Sequence, residues 1–91
     1  MTLERAEILC LEGLGWLAGD EDALTRFLSI SGADIAALRQ AAENRDTLLA
    51  VVEFLLTHED LMLRFCEESG AAPQALHQAR HVLAGPAREE A

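Results

Sequence analysis

Apolar residues recur every three or four positions through most of this chain, which is the period of an amphipathic helix. No stretch alternates apolar and polar residues as a half-buried strand does. Helix-stop and helix-start signals divide the pattern into six predicted helices, and the fold class is therefore predicted to be all-α. Their approximate bounds are 3–18, 21–31, 35–43, 47–57, 59–69 and 73–84.

The boundaries of these helices are predicted from capping residues, because a side-chain oxygen before a helix can accept a hydrogen bond from an unpaired amide. Pro73 is placed at the first position of the sixth helix, where its missing N–H costs nothing. Gly85-Pro86 is expected to end that helix, and 86–91 to form a disordered tail. The predicted caps are Thr2, Asp20, Asp34, Asp46, and Thr57 in capping-box spacing with Asp60.

The chain repeats itself at an offset of 38 residues. Eleven of 21 aligned positions are identical between 21–41 and 59–79, including a shared Arg-Phe pair and a shared Ser-Gly-Ala. Internal repeats indicate an architecture of similar units. We expect two three-helix units, about 3–43 and 46–84, within a single domain of residues 1–85. They are predicted to pack as one bundle about a pseudo-twofold axis, with a short solenoid turn as the alternative.

The fourth predicted helix, 47–57, is apolar on more than half of its circumference, as is typical of a helix in the centre of a domain. The repeat aligns it with the first helix, so these two are expected to pack against each other. Gly13 and Gly15 lie inside the first helix, where each costs about 1 kcal/mol relative to Ala. They indicate either a weak helix end or the close approach of another helix.

Composition restricts the compartment and the partners. Seven Arg stand against sixteen Asp and Glu, giving a net charge of −9, which disfavours binding to nucleic acid or to anionic membrane surfaces. The first ten residues lack the basic start of a signal peptide, and no apolar run approaches the roughly 20 residues of a membrane span. These features predict a cytoplasmic protein with no membrane or nucleic-acid partner.

The two cysteines are predicted to be buried and reduced. The repeat aligns Cys10 with Leu48 and Cys66 with Leu28, and a position that accepts Leu in the other unit is a core position. There is no Cys-X-X-Cys pair, and no basic residue next to either cysteine, to lower a thiol pKa. The four aromatic residues also pair across the repeat and are assigned to the core, so none is left for base stacking.

His77 and His81 have the i, i+4 spacing that places two imidazoles on one face of a helix, as a metal site requires. The other unit carries Arg39 and Glu43 at these positions. Both histidines lie opposite the predicted apolar face, so a solvated surface is the favoured interpretation. They are retained as weak metal-ligand candidates, and no metal or other cofactor is predicted.

Arg26 and Arg64 are equivalent in the repeat, and each follows an aspartate by four residues, Asp22 and Asp60. The favoured interpretation is a pair of exposed ion pairs, each worth about 0.3–0.5 kcal/mol. The alternative is that the two arginines are anchors for a partner or an anion, since arginine is enriched at interfaces.

The segments RFLSISG at 26–32 and LRQAA at 38–42, within a pattern that extends from about Ala6 to Leu83, carry a resemblance to an uncharacterised bacterial family of short proteins, a domain of unknown function. The resemblance implies a small cytoplasmic helical protein. It implies no activity, cofactor or catalytic residue.

No nucleophile elbow, phosphate-binding loop or acid–base pair is recognisable, so no catalytic residue is predicted and an enzyme is not expected. The leading hypothesis is a non-enzymatic protein-interaction module, with a protein partner, a homodimer, or both. Arg26 and Arg64 are its candidate binding residues. The second hypothesis is a regulatory domain that binds a small molecule or a metal through the face of His77 and His81.

Overall fold

The computed structural model describes residues 1–32, 34, 36, 39–40 and 44–89, with side chains described to Ala84. The described residues form five α-helices and no strand, so the predicted all-α class is confirmed. The helices are α1 (Leu3–Ala18), α2 (Glu21–Ser31), α3 (Arg45–Thr57), α4 (Glu59–Ser69) and α5 (Pro73–Glu89).

The number of helices differs from the prediction. Six were expected, but the described residues form five. Most of the stretch predicted as the third helix, 35–43, lies outside the described residues. Pro73 begins α5 as predicted, but the helix continues past Gly85 and Pro86 to Glu89, so the predicted end at Gly85-Pro86 is wrong.

The first two helices begin at the predicted caps. Thr2 Oγ1 accepts a hydrogen bond from the amide of Arg5 at 3.1 Å, and Asp20 Oδ1 accepts one from the amide of Ala23 at 3.0 Å. These contacts satisfy amides that have no partner within the helix. Gly32 and Gly70 end α2 and α4 in the left-handed conformation, with φ of 74° and 82°, which glycine adopts without steric cost.

Two of the predicted caps are wrong. The cap of α3 is Asn44, whose Oδ1 accepts from the Thr47 amide at 3.2 Å, and Asp46 lies in the first turn instead. The residue before α4 is His58, and it makes no side-chain cap. The capping box predicted for Thr57 is therefore not formed, and the Thr57 hydroxyl donates instead to the carbonyl of Glu53 at 2.8 Å.

Helix α3 is central, as its sequence predicts, and it packs against all four other helices. It contributes the apolar residues that are most completely buried, including Leu48, Val51 and Leu55. Helices α1 and α3 come close together at Gly13, where an added Cβ would lie 3.2 Å from Leu55 Cδ1 and 3.4 Å from Val51 Cγ1. Gly13 therefore allows the close approach of a helix, whereas Gly15 faces open space.

Two edge-on aromatic contacts connect helices that are distant in sequence. The rings of Trp16 and Phe65 are 6.0 Å apart with an interplanar angle of 65°, and those of Phe27 and Phe54 are 5.3 Å apart at 77°. Aromatic pairs prefer this geometry, and each is worth about 0.5–1.5 kcal/mol beyond the area it buries. The three phenylalanines are buried and Trp16 is half-buried, which agrees with their assignment to the core.

None of the helices in the described part of the chain is long and apolar enough to span a membrane.

Candidate functional site

A groove lies between the C-terminal half of α2 and one face of α3. Its volume is about 220 Å³, and more of its lining is apolar than polar. We call it the α2–α3 groove, and its lining residues are Ile30, Ser31, Ala50, Glu53, Phe54, Thr57 and His58.

Ile30 forms the exposed wall of the groove. Its side chain is 62% exposed, which is the largest exposure among the large apolar residues of the described core and surface. Isolated exposed apolar residues are common on protein surfaces. Ile30 differs from them because it borders a concavity that also contains the apolar residues Ala50 and Phe54. A concave apolar surface with a few polar groups is the usual form of a binding site.

The floor of the groove is held rigidly by aromatic packing. Phe54 is only 5% exposed, and its ring lies between those of Phe27 and His58, the latter with its centroid 4.3 Å away and tilted by 31°. His58 Nδ1 lies 2.9 Å from the carbonyl oxygen of Phe54. Because a carbonyl only accepts, Nδ1 carries the proton of this contact, and Nε2 is the acceptor in the neutral ring. The groove therefore has a fixed apolar floor and a polar end.

An ion pair forms one polar edge of the groove. Glu53 Oε2 lies 3.4 Å from Nε of Arg80 on α5, and both side chains are nearly half exposed. Exposed pairs of this kind contribute at most about 1 kcal/mol. The pair joins α3 to α5 and leaves the Glu53 carboxylate accessible at the edge of the groove.

Arg26 lies one helical turn before Ile30 on α2, and therefore on the same face. Its Nη1 is 3.5 Å from Asp60 Oδ2 on α4 and 3.9 Å from Asp22 Oδ2 on its own helix. The predicted pair with Asp22 is present, and the shorter contact is with Asp60. Arg26 is thus an ion-pair residue that remains 36% exposed beside the groove.

Arg64, the equivalent residue in the second unit, has different partners. Its Nη2 lies 2.6 Å from Asp20 Oδ2, and its guanidinium carbon is 5.4 Å from the centroid of Trp16. The indole N–H of Trp16 donates to Glu68 Oε1 at 2.9 Å. The hydrogen bond from the Ala23 amide and the neighbouring Arg64 guanidinium hold the pKa of Asp20 below its ordinary value. Arg64 is therefore part of a polar cluster that joins α4 to the junction of α1 and α2.

His77 and His81 are both exposed, as predicted for a solvated face of α5. They line one shallow depression together with Met1, Gln74, Gln78 and Val82. Among the residues whose placement is described, no three His, Cys, Asp or Glu side chains form a group that could hold a metal ion. The structure gives this pair no third ligand within its described part.

The two thiols behave as the alignment predicts. Cys10 is 1% exposed, and burial, with the charge of Glu7 as a smaller cause, raises its pKa to about 12. Cys66 is half-buried, and burial raises its pKa also. A raised pKa keeps both sulfurs protonated at neutral pH, and a protonated thiol is a poor nucleophile.

The α2–α3 groove was not predicted from the sequence, because Ile30 lies near the edge of the apolar stripe of α2 and was assigned beside the buried face. The repeat contained the necessary signal. Ile30 aligns with Glu68, and a position that is acidic in the other unit is a surface position. An isoleucine there is an exposed apolar residue rather than part of the core.

Comparison with known proteins gave one match. A family model described as "Protein of unknown function (DUF3572)" matches residues 3–86, nearly the whole chain. No match was found among curated proteins or among solved structures.

Proposed function

The chain belongs to the DUF3572 family, a family of unknown function, and we propose that it is a non-enzymatic protein-interaction module that binds its partner through the α2–α3 groove. One observation carries the proposal: the most exposed large apolar side chain, Ile30, borders a groove with a rigid aromatic floor. Burial of such surface by a partner removes apolar area from water, which drives most protein association.

The rigidity of the groove supports this function. Phe54 is held by Phe27 and His58, and the two helices that form the walls are packed into the core. A preformed site loses little side-chain freedom on binding, so more of the interaction energy is available as affinity. Exposed arginines are frequent at interfaces, and Arg26 extends the same face by one helical turn.

The absence of a catalytic role is part of the proposal. Both thiol pKa values are raised, and His77 and His81 are exposed on α5. General acid–base chemistry needs groups positioned together around a substrate. We place the protein in the cytoplasm, where an acidic surface with a net charge of −9 favours solubility.

We also propose that the domain is built from two units, about 3–43 and 46–84, related by a pseudo-twofold axis. The offset of 38 residues converts Trp16 into Phe54 and Phe27 into Phe65. The contacts Trp16–Phe65 and Phe54–Phe27 are therefore reciprocal, as a twofold relation requires. This arrangement predicts that the two units differ at the groove, because Ile30 in one unit corresponds to Glu68 in the other.

The test is affinity capture from native cytosol followed by mass spectrometry, with four baits. They are the wild type, Ile30→Asp, Leu63→Asp, and the double variant Arg26→Ala/Arg64→Ala. Leu63 is the matched control, since it is also an exposed apolar residue, 49% exposed, but lies on α4 outside the groove lining. A partner that is kept by Leu63→Asp and lost by Ile30→Asp supports the groove.

The arginine variant separates two versions of the module. Loss of the partner from both Ile30→Asp and the arginine variant places Arg26 or Arg64 in the interface. Retention by the arginine variant restricts the interface to the groove. Retention of the same partner by Ile30→Asp contradicts the groove as the binding site.

A further inference from the structure

We infer that the α2–α3 groove receives a single large apolar side chain of a partner peptide, and that basic residues flank this side chain on the peptide. The inference rests on the proposed function, because it specifies the partner of the same site.

The size of the groove selects the occupant. Its volume of about 220 Å³ is below the roughly 300–1,000 Å³ of sites that enclose drug-sized ligands and cofactors. It is comparable with one large amino-acid side chain. Partner recognition commonly places one apolar anchor in a pocket of this kind, with the surrounding contacts excluding water.

The walls determine that the anchor is apolar. Ile30 and Ala50 face the groove from opposite helices, and the edge of Phe54 lies beneath them. A polar side chain in this place would lose its hydration without a matching partner from these residues. The polar groups, Glu53, Thr57 and His58, can contact only the chain that leads to and from the anchor.

The charges around the groove determine its flanks. Glu53 lies at the edge, and Glu59 and Asp60 directly follow His58 at one end, so three carboxylates face the two guanidiniums of Arg26 and Arg80. The chain as a whole carries −9. This field attracts basic residues and repels acidic ones. It also disfavours a second copy of the same acidic chain as the occupant.

The test is a titration of the full ¹⁵N-labelled chain with three capped tripeptides, followed by amide chemical shifts. Acetyl-Lys-Leu-Lys-amide carries both proposed features. Acetyl-Lys-Ala-Lys-amide lacks the anchor, and acetyl-Glu-Leu-Glu-amide reverses the flanking charge. Each titration is performed at low and at high salt, because attraction between exposed charges is screened by salt.

We expect the Lys-Leu-Lys peptide to shift the amides of Ile30, Ala50 and Phe54, and to bind about tenfold more tightly than either control at low salt. The advantage over Glu-Leu-Glu should shrink at high salt. Ala50→Leu, which fills the groove, and Ile30→Ser, which removes a wall, should each abolish the shifts. Leu63→Ser should keep them, and unchanged spectra elsewhere will show that each variant is folded.

Three results would overturn the inference. Equal binding of the Lys and Glu peptides would reject the basic flanks, and equal binding of Lys-Leu-Lys and Lys-Ala-Lys would reject the anchor. Groove shifts that depend on protein concentration alone would identify a second copy as the occupant. Nuclear Overhauser contacts from the Ile30 methyls to residues 33–43 would identify a segment of the same chain instead.

This experiment and the capture experiment fail independently. If a partner is lost from Ile30→Asp while no tripeptide shifts the groove amides, the proposed function stands and the inferred partner chemistry is wrong.

Discussion

Nη2 of Arg64 lies 2.6 Å from Oδ2 of Asp20, so one carboxylate both caps α2 and pairs with α4. Its other oxygen, Oδ1, accepts from the Ala23 amide at 3.0 Å. The contact joins residues that are 44 positions apart in the chain. A helix start in one part of the fold is thereby tied to a helix of the other.

The Asp20 contact predicts a pH dependence of stability. Its hydrogen bond from the Ala23 amide and its pair with Arg64 lower its folded pKa below the ordinary 3.8. The ionised carboxylate therefore stabilises the fold above the unfolded pKa, and this contribution is lost as the pH falls through the folded pKa. Asp20→Asn keeps a capping oxygen but removes the charge.

We expect Asp20→Asn to be less stable than the wild type at pH 7, with the difference disappearing below about pH 4. Urea unfolding at a series of pH values measures both. A difference that stays constant from pH 7 to pH 2 would show that the charge of Asp20 does not stabilise the fold.

The aromatic core predicts large effects of truncation. Phe27 and Phe65 are 0% and 1% exposed, so Phe27→Ala and Phe65→Ala should each lower the free energy of unfolding by about 3–5 kcal/mol. Leu63→Ala, at an exposed position, should change it by less than about 0.5 kcal/mol. Denaturant unfolding makes the comparison, and an unchanged midpoint for either phenylalanine variant would contradict the packing of α2 or α4.

Gly13 and Gly15 form a matched pair on α1. Replacing a helical glycine by alanine gains about 1 kcal/mol of helix propensity. At Gly15 the added Cβ meets nothing within 4 Å, so Gly15→Ala should stabilise the protein by about this amount. At Gly13 it would lie 3.2 Å from Leu55 Cδ1, so Gly13→Ala should be clearly less stable than Gly15→Ala. Equal stabilities would refute the close approach of α1 and α3.

The thiols predict a difference in reactivity. The pKa of Cys10 is about 12, and its side chain is 1% exposed, so in the folded protein it should react with a disulfide reagent only as fast as the chain opens. Cys66 is half-buried and should react faster, although its pKa is raised as well. The variants Cys10→Ser and Cys66→Ser separate the two rates at pH 8, and both sites should react rapidly in urea. Faster labelling at Cys10 would contradict its burial.

Much of the fold follows from local sequence signals. Thr2, Asp20, Gly32, Gly70 and Pro73 each define a helix end by their own backbone or side-chain chemistry, and these five positions were predicted correctly. The central position of α3 follows from its nearly complete apolar surface. Local chemistry is sufficient for these features because their partners are only a few residues away.

The candidate site could not be predicted in the same way. The partners of Arg26 and Arg64 include Asp60 and Asp20, which are on other helices, whereas sequence spacing favoured the pairs within one helix. The groove depends on how α2 crosses α3, and that geometry is set by packing rather than by periodicity. Ile30 appears as a surface residue only when the two units are compared position by position.

Site-specific photocrosslinking tests most directly whether the α2–α3 groove is the recognition surface. The photoreactive residue benzoylphenylalanine would replace Ile30 in one protein and Leu63 in another, and each would be irradiated with the purified partner from the capture experiment. We predict one defined adduct from position 30, which excess unlabelled wild type removes by competition and excess Ile30→Asp does not. Equal adducts from positions 30 and 63, or competition by Ile30→Asp as strong as by the wild type, would contradict the account.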